Sequence, residues 1–429
     1  TYKTSIQAEY RYRETEKGDT QLRFFEDDFL PDLDQREENQ LIRLGFRHAF
    51  SPGSNLLGNF MYQHGEFDRE DDPVPGIVNV DTDSDADDYS GELSYLLRSN
   101  YINLVTGAGY FDIDAKSDIT TTITPPFPPI TIVNEIRLDG DVEHANAYLY
   151  SYIDLPMDLT LTVGGSYDDF EADDEDTKDR DQFNPKFGIT WNPFSGTTLR
   201  GVAFRILTRT LITDQTLEPT QVAGFNQFYD DAAATDSWLY GGAIDQKFIQ
   251  SIYGGAEYTF RDSSVPFNDV SGPTAQLNTV DWDEKKFRSY LFWTPHDWVA
   301  LRAEYLWERF ERDEDFGAGV KTVETHCVPL GINFFHPIGL SAGLTGTYID
   351  QQGSFNRLNA PPGTFENGDD NFWLVDAAIK YRFPKRYGFF TVGVRNLTDE
   401  DFEYWDSDID NTRIQPDRYF FANFTLAVP

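Results

Sequence analysis

Short stretches in which apolar and polar residues alternate make up most of this sequence. The connections between them alternate between short turns and long acidic segments. In one such stretch Leu159, Leu161 and Val163 alternate with Thr160 and Thr162. Because successive side chains of a β-strand point to opposite faces, this spacing predicts a strand with one apolar and one polar face. A soluble sandwich has no reason to make every second connection long and acidic, whereas a membrane barrel does. The pattern therefore predicts an all-β, transmembrane antiparallel β-barrel.

The composition agrees with a barrel and excludes a helical membrane protein. No uninterrupted apolar run approaches the roughly 20 residues that a transmembrane helix requires. In a β-barrel only alternate residues face lipid, so a hydrophobic fraction of 39% and a mean hydropathy of −0.51 are compatible with spanning. The 429 residues contain no evident linker. We therefore expect residues 1–429 to form a single outer-membrane β-barrel domain, and the start at Thr1 leaves room for a periplasmic domain upstream.

Counting the alternating stretches predicts about 18 strands, within a range of 16 to 20, each of roughly ten residues. An even number places both termini on the side of the short turns. In bacterial outer-membrane barrels the short turns are periplasmic and the long loops extracellular, which predicts the outer membrane of a Gram-negative bacterium. Short turns are expected around Pro52, Pro156, Pro295, Pro337 and Pro384, and long acidic loops around Asp83, Asp174, Glu314 and Asp408.

The charge is strongly negative, with 73 acidic against 35 basic residues and a formal net charge of −38. Such a surface disfavours nucleic acid, because phosphate binding needs clusters of Lys and Arg. It favours divalent cations. Asp81, Asp83, Asp85 and Asp87 stand at every other position and predict a ligand cluster for Ca²⁺ or Mg²⁺, either alone or bridging to lipopolysaccharide phosphates. The alternative is an ordinary solvated loop, since the Gly and closing Glu of a calcium loop are missing.

The two faces of the strands predict which side chains meet lipid and which line the lumen. Ile189, Leu301, Leu344 and Val392 are assigned to the lipid face. Interior ionisable groups either pair across the wall or line a wet pore that prefers anions, and the pattern leaves both open. The candidates for lining the pore are Arg98, Lys186, Arg200, Arg288, Arg302, Glu304, Asp376, Lys380, Arg382 and Arg395.

Sequence patterns for catalysis are absent. The six histidines include neither an H-x-x-x-H nor an H-E-x-x-H spacing, and Gly-x-Ser-x-Gly does not occur. Cys327 is the only cysteine, so it forms no intrachain disulfide and no zinc ribbon. We predict that it is an inert thiol of the barrel wall and that the protein is not an enzyme.

Two groups of motifs, one at the C-terminal end and one near the middle of the chain, carry a family likeness. The first group is VGVRNLTD at 392–399, Tyr404, and the closing segments 416–420 and 424–426; the second is FNPKFG at 183–188, TLR at 198–200 and LEP at 217–219. Together they resemble the barrel of TonB-dependent outer-membrane receptors. Those receptors have about 22 strands and a plugged lumen. Here the first predicted strand begins almost at Thr1, so the resemblance implies a receptor-like barrel without its plug domain.

These observations predict a channel or conduit in the outer membrane that passes or exports a solute or polymer, as a porin or an exporter attached to a periplasmic scaffold does. One alternative is the barrel of a TonB-dependent active importer whose plug is missing from this chain. Another is a structural or adhesive barrel whose acidic loops bind cations or a partner. The expected surroundings are outer-membrane lipid and lipopolysaccharide.

Overall fold

The computed structural model is an all-β protein in which one antiparallel sheet contains eighteen strands. The structure describes residues 3–74, 77–124, 131–172, 180–209, 211–229, 231–269, 276–312, 319–360, 363–406, 414 and 417–427. Within these ranges, helix is confined to three single 3-10 turns, and none is long or apolar enough to cross a membrane. The prediction of a barrel of about 18 strands is confirmed.

The strands are named in chain order. The first nine are β1 (Thr4–Lys17), β2 (Asp34–Ser51), β3 (Ser54–Val74), β4 (Val78–Arg98), β5 (Ile102–Ile123), β6 (Ile132–Leu155), β7 (Leu159–Ala172), β8 (Arg180–Phe194) and β9 (Thr197–Leu207). A small separate hairpin follows, β10 (Gln221–Val222) and β11 (Phe225–Asn226). The others are β12 (Asp236–Ile249), β13 (Ile252–Asp269), β14 (Gln276–His296), β15 (Val299–Arg312), β16 (Val320–Phe335), β17 (Leu340–Asn356), β18 (Phe365–Arg382), β19 (Gly388–Arg395) and β20 (Tyr419–Leu426). The 3-10 turns are Glu26–Asp28, Ile212–Asp214 and Pro384–Arg386.

Each strand of the large sheet pairs with the next one along the chain, except that β9 pairs directly with β12. In the described part of the chain no ladder joins β1 to β20. The two ends of the series nevertheless meet through their long connections. Phe24, between β1 and β2, stacks on Phe355 of β17 with ring centroids 4.3 Å apart. Arg357 forms ion pairs with Asp27 at 2.6 Å and with the buried Asp28 at 3.2 Å. Side chains therefore tie the sheet together at the rim of the long loops.

The connections alternate in length as predicted. Pro52, Pro156, Pro337 and Pro384 lie in short connections and Pro295 lies one residue before the end of β14, so all five are at one rim. Asp83 lies in the half of β4 nearer the opposite rim. Asp174, Glu314 and Asp408 fall outside the described residues.

The acidic loop predicted around Asp83 is in large part strand. β3 with β4, and β5 with β6, continue as long paired hairpins beyond the predicted strand ends. In this ladder Asp83 stands opposite Asp68 on one side and Asp118 on the other. Extending a hairpin satisfies backbone N–H and C=O groups that a loop must leave to water, and Asp68, Asp83 and Asp118 share an exposed face of it. The strands therefore reach 24 residues in β6, well beyond the predicted ten.

The predicted orientation of the wall is confirmed at the positions that can be compared. Ile189, Leu344 and Val392 are 42%, 46% and 40% exposed on the outer surface. Lys186, three residues from Ile189, is completely buried inside the barrel. Because side chains alternate along a strand, one such pair sets the register of a whole strand.

Candidate functional site

The long connection between β9 and β12 folds into the barrel and does not project from its rim. We call residues 208–235 the inner segment; residues 210 and 230 lie outside the described part of the chain. Its side chains and backbone contact strands from β2 to β13. The contacts include Gln215 with Arg43 of β2, Leu217 with Glu92 of β4, Glu218 with Tyr150 of β6, Gln227 with Lys186 of β8, and Asp231 with Arg261 of β13.

Local sequence explains how the inner segment turns and fits. The hairpin β10–β11 turns at Ala223 and Gly224, whose φ angles are 48° and 84°. The strands beneath this hairpin have glycine, which lacks a side chain, at the closest points of contact. A Cβ atom at Gly241 would lie 2.7 Å from the ring of Phe225, and one at Gly188 would lie 2.9 Å from the Cβ of Ala223. Glycine in the wall therefore makes room for the hairpin.

Arg209 and Glu218 form the centre of a buried polar network. The Arg209 Nη1 donates to Glu218 Oε2 at 2.9 Å and lies 3.6 Å from Asp168 Oδ1. Glu218 also accepts hydrogen bonds from the Tyr150 hydroxyl at 2.6 Å and from the Asn146 amide at 3.0 Å. Every oxygen of the Glu218 carboxylate is thus satisfied by a donor, as a buried charge requires.

Two further contacts fasten the inner segment on either side of this centre. Glu92 of β4 accepts hydrogen bonds from the Thr216 hydroxyl at 2.5 Å and from the backbone N–H of Leu217 at 2.9 Å. The Lys186 ammonium donates to Gln227 Oε1 at 2.5 Å and to the carbonyl oxygen of Arg205 at 2.7 Å. Charge-assisted hydrogen bonds, which are stronger than neutral ones, therefore hold the inner segment against the wall from β4 to β8.

The network continues into the wall at Asp168. This carboxylate lies 3.0 Å from His144 Nε2 and accepts hydrogen bonds from Ser166 at 2.7 Å and Asn184 at 2.6 Å. All four side chains are buried. Counted with Glu92, Glu218, Lys186 and Arg209, the cluster contains three carboxylates and two basic side chains.

Burial and neighbouring charges shift the pKa values of two residues of the inner segment, Arg209 and Tyr229. Burial acts to lower the pKa of Arg209, but Glu218 and the other acidic groups around it raise that pKa above its ordinary value. Burial and the nearby Glu218 carboxylate raise the pKa of Tyr229 well above its usual range. Arg209 therefore stays a cation and Tyr229 stays a neutral phenol at neutral pH.

The opposite side of the lumen contains a cavity of about 1740 Å³. Residues from each of β13 to β19 form most of its wall. The inner segment, Arg69 and Asp71 of β3, and the connections between β1 and β2 and between β19 and β20 form much of the rest of the lining. Cations and aromatic rings alternate along the lining: the guanidinium of Arg261 lies 4.6 Å from the ring of Phe228, and that of Arg312 lies 4.2 Å from Trp282. Arg395 is paired with Asp376 at 2.6 Å. The cavity is thus a polar, roughly charge-balanced space.

A family comparison agrees with this architecture. Residues 2–228, more than half of the chain, match the model of the family described as TonB dependent receptor-like, beta-barrel. The chain belongs to this family. It is accordingly an outer-membrane β-barrel of a Gram-negative bacterium, of a family whose structural relatives are transporters and receptors.

Solved structures with the same fold share little sequence with the chain. The ferric citrate transporter FecA is 12% identical with a TM-score of 0.72, and the match covers 99% of this chain and 68% of FecA. The ferripyoverdine receptor of Pseudomonas aeruginosa is 11% identical with a TM-score of 0.67, covering 94% and 60%. The copper transporter OprC is 13% identical with a TM-score of 0.66, covering 91% and 66%. The chain thus spans about three fifths of the length of the ferripyoverdine receptor. No protein of curated function matches it.

The predicted pore-lining residues of this family member lie in three different environments. Lys186 belongs to the buried network. Most of the others pair with acids on the inner face: Arg200 with Asp245 and Glu257, Arg288 and Arg302 with Glu304, and Arg395 with Asp376. Of the ten candidates, Asp376 and Arg395 line the large cavity. Lys380, Arg382 and Arg98 lie in the last residues of their strands, near the short-turn rim. The structure therefore favours pairing over an anion-selective lining.

The predicted metal ligands are not brought together. Asp81, Asp83, Asp85 and Asp87 lie along one face of β4, where alternate residues are about 7 Å apart. Asp87 accepts a hydrogen bond from Tyr62 at 2.8 Å and lies 3.1 Å from His64. No group of three or more His, Cys, Asp or Glu side chains suited to a metal ion occurs among the described residues. Binding of Ca²⁺ or Mg²⁺ at Asp81, Asp83, Asp85 and Asp87 remains a prediction.

Sequence reasoning missed most of the buried network, namely Glu92, His144, Asp168, Arg209 and Gln227. Three of its members were in motifs already noted, Asn184 and Lys186 in FNPKFG and Glu218 in LEP. The structure shows that these motifs, about thirty residues apart, meet at one place inside the barrel. A polar or ionisable residue at an inward position, on a strand whose other inward residues are small or apolar, would have indicated a buried polar site.

Proposed function

We propose that the chain is the barrel of an outer-membrane transporter in which a solute passes along the open side of the lumen. The observation that carries this proposal is the cavity of about 1740 Å³ between the inner segment and strands β13 to β19. It exceeds the roughly 300–1000 Å³ of a pocket for a drug-sized ligand. A solute of moderate size, or one unit of a polymer after another, fits such a space.

The lining supports passage without chemistry. Charged groups in the cavity are held in pairs or over rings, as in Arg395 with Asp376 and Arg312 over Trp282. Such surfaces offer hydrogen bonds and flat faces to a polar solute but no activated nucleophile. We therefore propose a conduit or receptor and not an enzyme.

Active import is the second candidate, and family membership favours it. In that case a plug domain and a periplasmic energy-coupling partner would complete the transporter. Export through a barrel attached to a periplasmic scaffold, and an adhesive role for cation-binding loops, remain predictions. A dependence of solute uptake by cells on the proton gradient would favour import over a passive conduit.

The experiment uses Cys327, which is the only cysteine and lines the cavity. The purified barrel is inserted in lipid vesicles and treated with a membrane-impermeant, charged thiosulfonate. We expect Cys327 to be modified in the folded barrel, because water and reagent reach the cavity. The matched control is Cys327→Ser with Ile332→Cys, which moves the thiol to an outward position that is 46% exposed and covered by lipid.

The control thiol should stay unmodified until detergent or denaturant is added. A folded barrel in which Cys327 resists the reagent as strongly as the control would overturn the proposal. A transported solute should in addition slow the modification of Cys327 by occupying the same space.

A further inference from the structure

We propose that the inner segment is a fixed constriction of the passage and determines the largest solute that the barrel admits. This inference rests on the proposed transport through the lumen. The constriction would be formed by the barrel itself, through the connection between β9 and β12, and would determine which solutes pass.

The first argument is the reach of the inner segment. It is fastened to β2 through Arg43 and Gln215 at one end and to β13 through Arg261 and Asp231 at the other. Between these points it contacts β4, β6 and β8. Since each strand pairs with its neighbour in order, the segment covers the inner wall over about half of the series of strands. Solute is therefore confined to the remaining space, whose wall is formed mostly by residues of β13 to β19.

The second argument is that the inner segment is anchored by groups that are costly to expose or separate. Side chains of Arg209 and Glu218 are each 1% exposed. Withdrawing the segment would remove Arg209 from Asp168 and leave Glu92 without its Thr216 and Leu217 donors. Buried carboxylates that lose their partners are strongly unfavourable. A mobile lid needs few such contacts, whereas this segment has many.

Apolar contacts reinforce the anchors at three places. Ile212 packs with Leu41 and Met61, and Ala234 packs with Phe170 and Leu207. Between them the hairpin inserts Val222 and Phe225 into a cluster with Tyr148, Tyr150, Phe204 and Leu239. Both ends and the middle of the segment are thus part of the packed interior, which supports a fixed element.

The third argument is the face that the segment turns to the cavity. Asn226, Gln227, Phe228 and Tyr229 line it in succession. Phe228 is held beneath Arg261, with Lys286 also 6.0 Å from its ring. A solute on the open side would therefore pass along bulky side chains with fixed positions, which makes exclusion by size the expected consequence.

The test measures solute influx into vesicles, using neutral sugars of increasing size, and conductance in planar bilayers. Two variants are compared with wild type. Arg209→Gln removes the cation that joins Glu218 of the segment to Asp168 of β7. Phe228→Ala shortens the cavity face and removes the ring beneath Arg261, while every hydrogen-bonded and ionic anchor keeps its partners. The control Arg36→Gln breaks an exposed ion pair with Glu14 outside the lumen. Folding is checked by the migration of unheated samples on denaturing gels.

We expect Arg209→Gln to raise conductance about threefold or more and to admit larger sugars, because pore width governs passage. Phe228→Ala should admit a sugar one size larger, and Arg36→Gln should match wild type. If Arg209→Gln fails to fold, the result for Phe228→Ala decides. A wild-type barrel that passes small sugars with a size limit unchanged in the folded variants would overturn the constriction alone. A barrel through which no sugar passes in any form would overturn transport as well.

Discussion

The two halves of the lumen contain similar ion pairs in opposite surroundings. In the half filled by the inner segment, Arg209 and Glu218 are each 1% exposed and share their donors and acceptors with neighbouring side chains. In the open half, Arg395 and Asp376 are 52% and 30% exposed beside the cavity. Water screens the second pair but not the first. An arginine–carboxylate pair therefore stabilises the packed inner segment on one side, whereas on the other side it only gives the cavity a polar lining.

The largest expected difference in stability is between two single variants, each of which removes one arginine from one half of the lumen. Arg209→Met leaves Glu218 and Asp168 buried without their cation and should lower the free energy of unfolding by about 3–5 kcal/mol. Arg395→Met should lower it by only about 0–1 kcal/mol. Urea unfolding in lipid vesicles measures both. Equal losses would show that the two halves are equally wet and would remove the contrast.

The second prediction asks whether the inner face of the open half is wet. Leu344 and Thr345 are neighbours on β17 that face lipid and lumen. Leu344→Arg places a charge in the hydrocarbon and should cost about 2–4 kcal/mol of unfolding free energy. Thr345→Arg should cost less than about 1 kcal/mol, since it pairs in register with Asp376 and gains a partner. A similar loss for both in urea unfolding would contradict a water-filled open half.

A smaller effect is expected for a single hydroxyl. Tyr150→Phe removes the donor 2.6 Å from Glu218 in the filled half and should cost about 1–3 kcal/mol, because a buried carboxylate loses a hydrogen bond. The matched change Tyr110→Phe removes a hydrogen bond of 2.8 Å to Glu143 on the outer surface. It should change stability by less than about 0.5 kcal/mol. Indistinguishable unfolding midpoints for the two variants would argue against a closed network around Glu218.

The smallest effect concerns the acidic hairpin outside both halves. Calcium at several times the roughly millimolar Kd of extracellular sites should stabilise the barrel by about 1 kcal/mol through paired carboxylates. EDTA should reverse the shift, and Asn at positions 81, 83, 85 and 87 should abolish it. Thermal unfolding in detergent measures the midpoint. A midpoint that calcium leaves unchanged in the wild type would identify these residues as an ordinary hydrated surface.

The strand pattern was predictable because each strand repeats the same local rule. Alternation of Leu159, Thr160 and Leu161 indicates two faces regardless of what lies beyond. Strand ends were less predictable, since the stretch around Asp83 is too acidic to look like a strand and becomes one by pairing with 68 and 118. The carboxylates of Asp68, Asp83 and Asp118 are exposed on one face, so their pairing meets little penalty of burial.

The inward position of the inner segment could not be predicted from local sequence patterns. Its composition resembles that of other long connections, and nothing local directs it inward. Its anchors come from distant parts of the chain: Glu92 and Thr216 are 124 residues apart, and Gln215 lies 172 residues from Arg43. Only the completed wall brings these groups within hydrogen-bonding distance. The motif LEP contained the central residue Glu218 but not its role.

The sequence by itself determined the antiparallel barrel, the face of each strand and the rim of each kind of connection, because period-two alternation and turn length are properties of neighbouring residues. The tertiary structure alone decided which half of the lumen is filled and which ionisable groups are buried. Burial depends on what the opposite wall places nearby, and Lys186 and Arg395 are alike in sequence terms as inward cations. Lys186 meets Gln227 of the inner segment while Arg395 meets the water-filled cavity, and that difference in solvation separates an anchor from a lining.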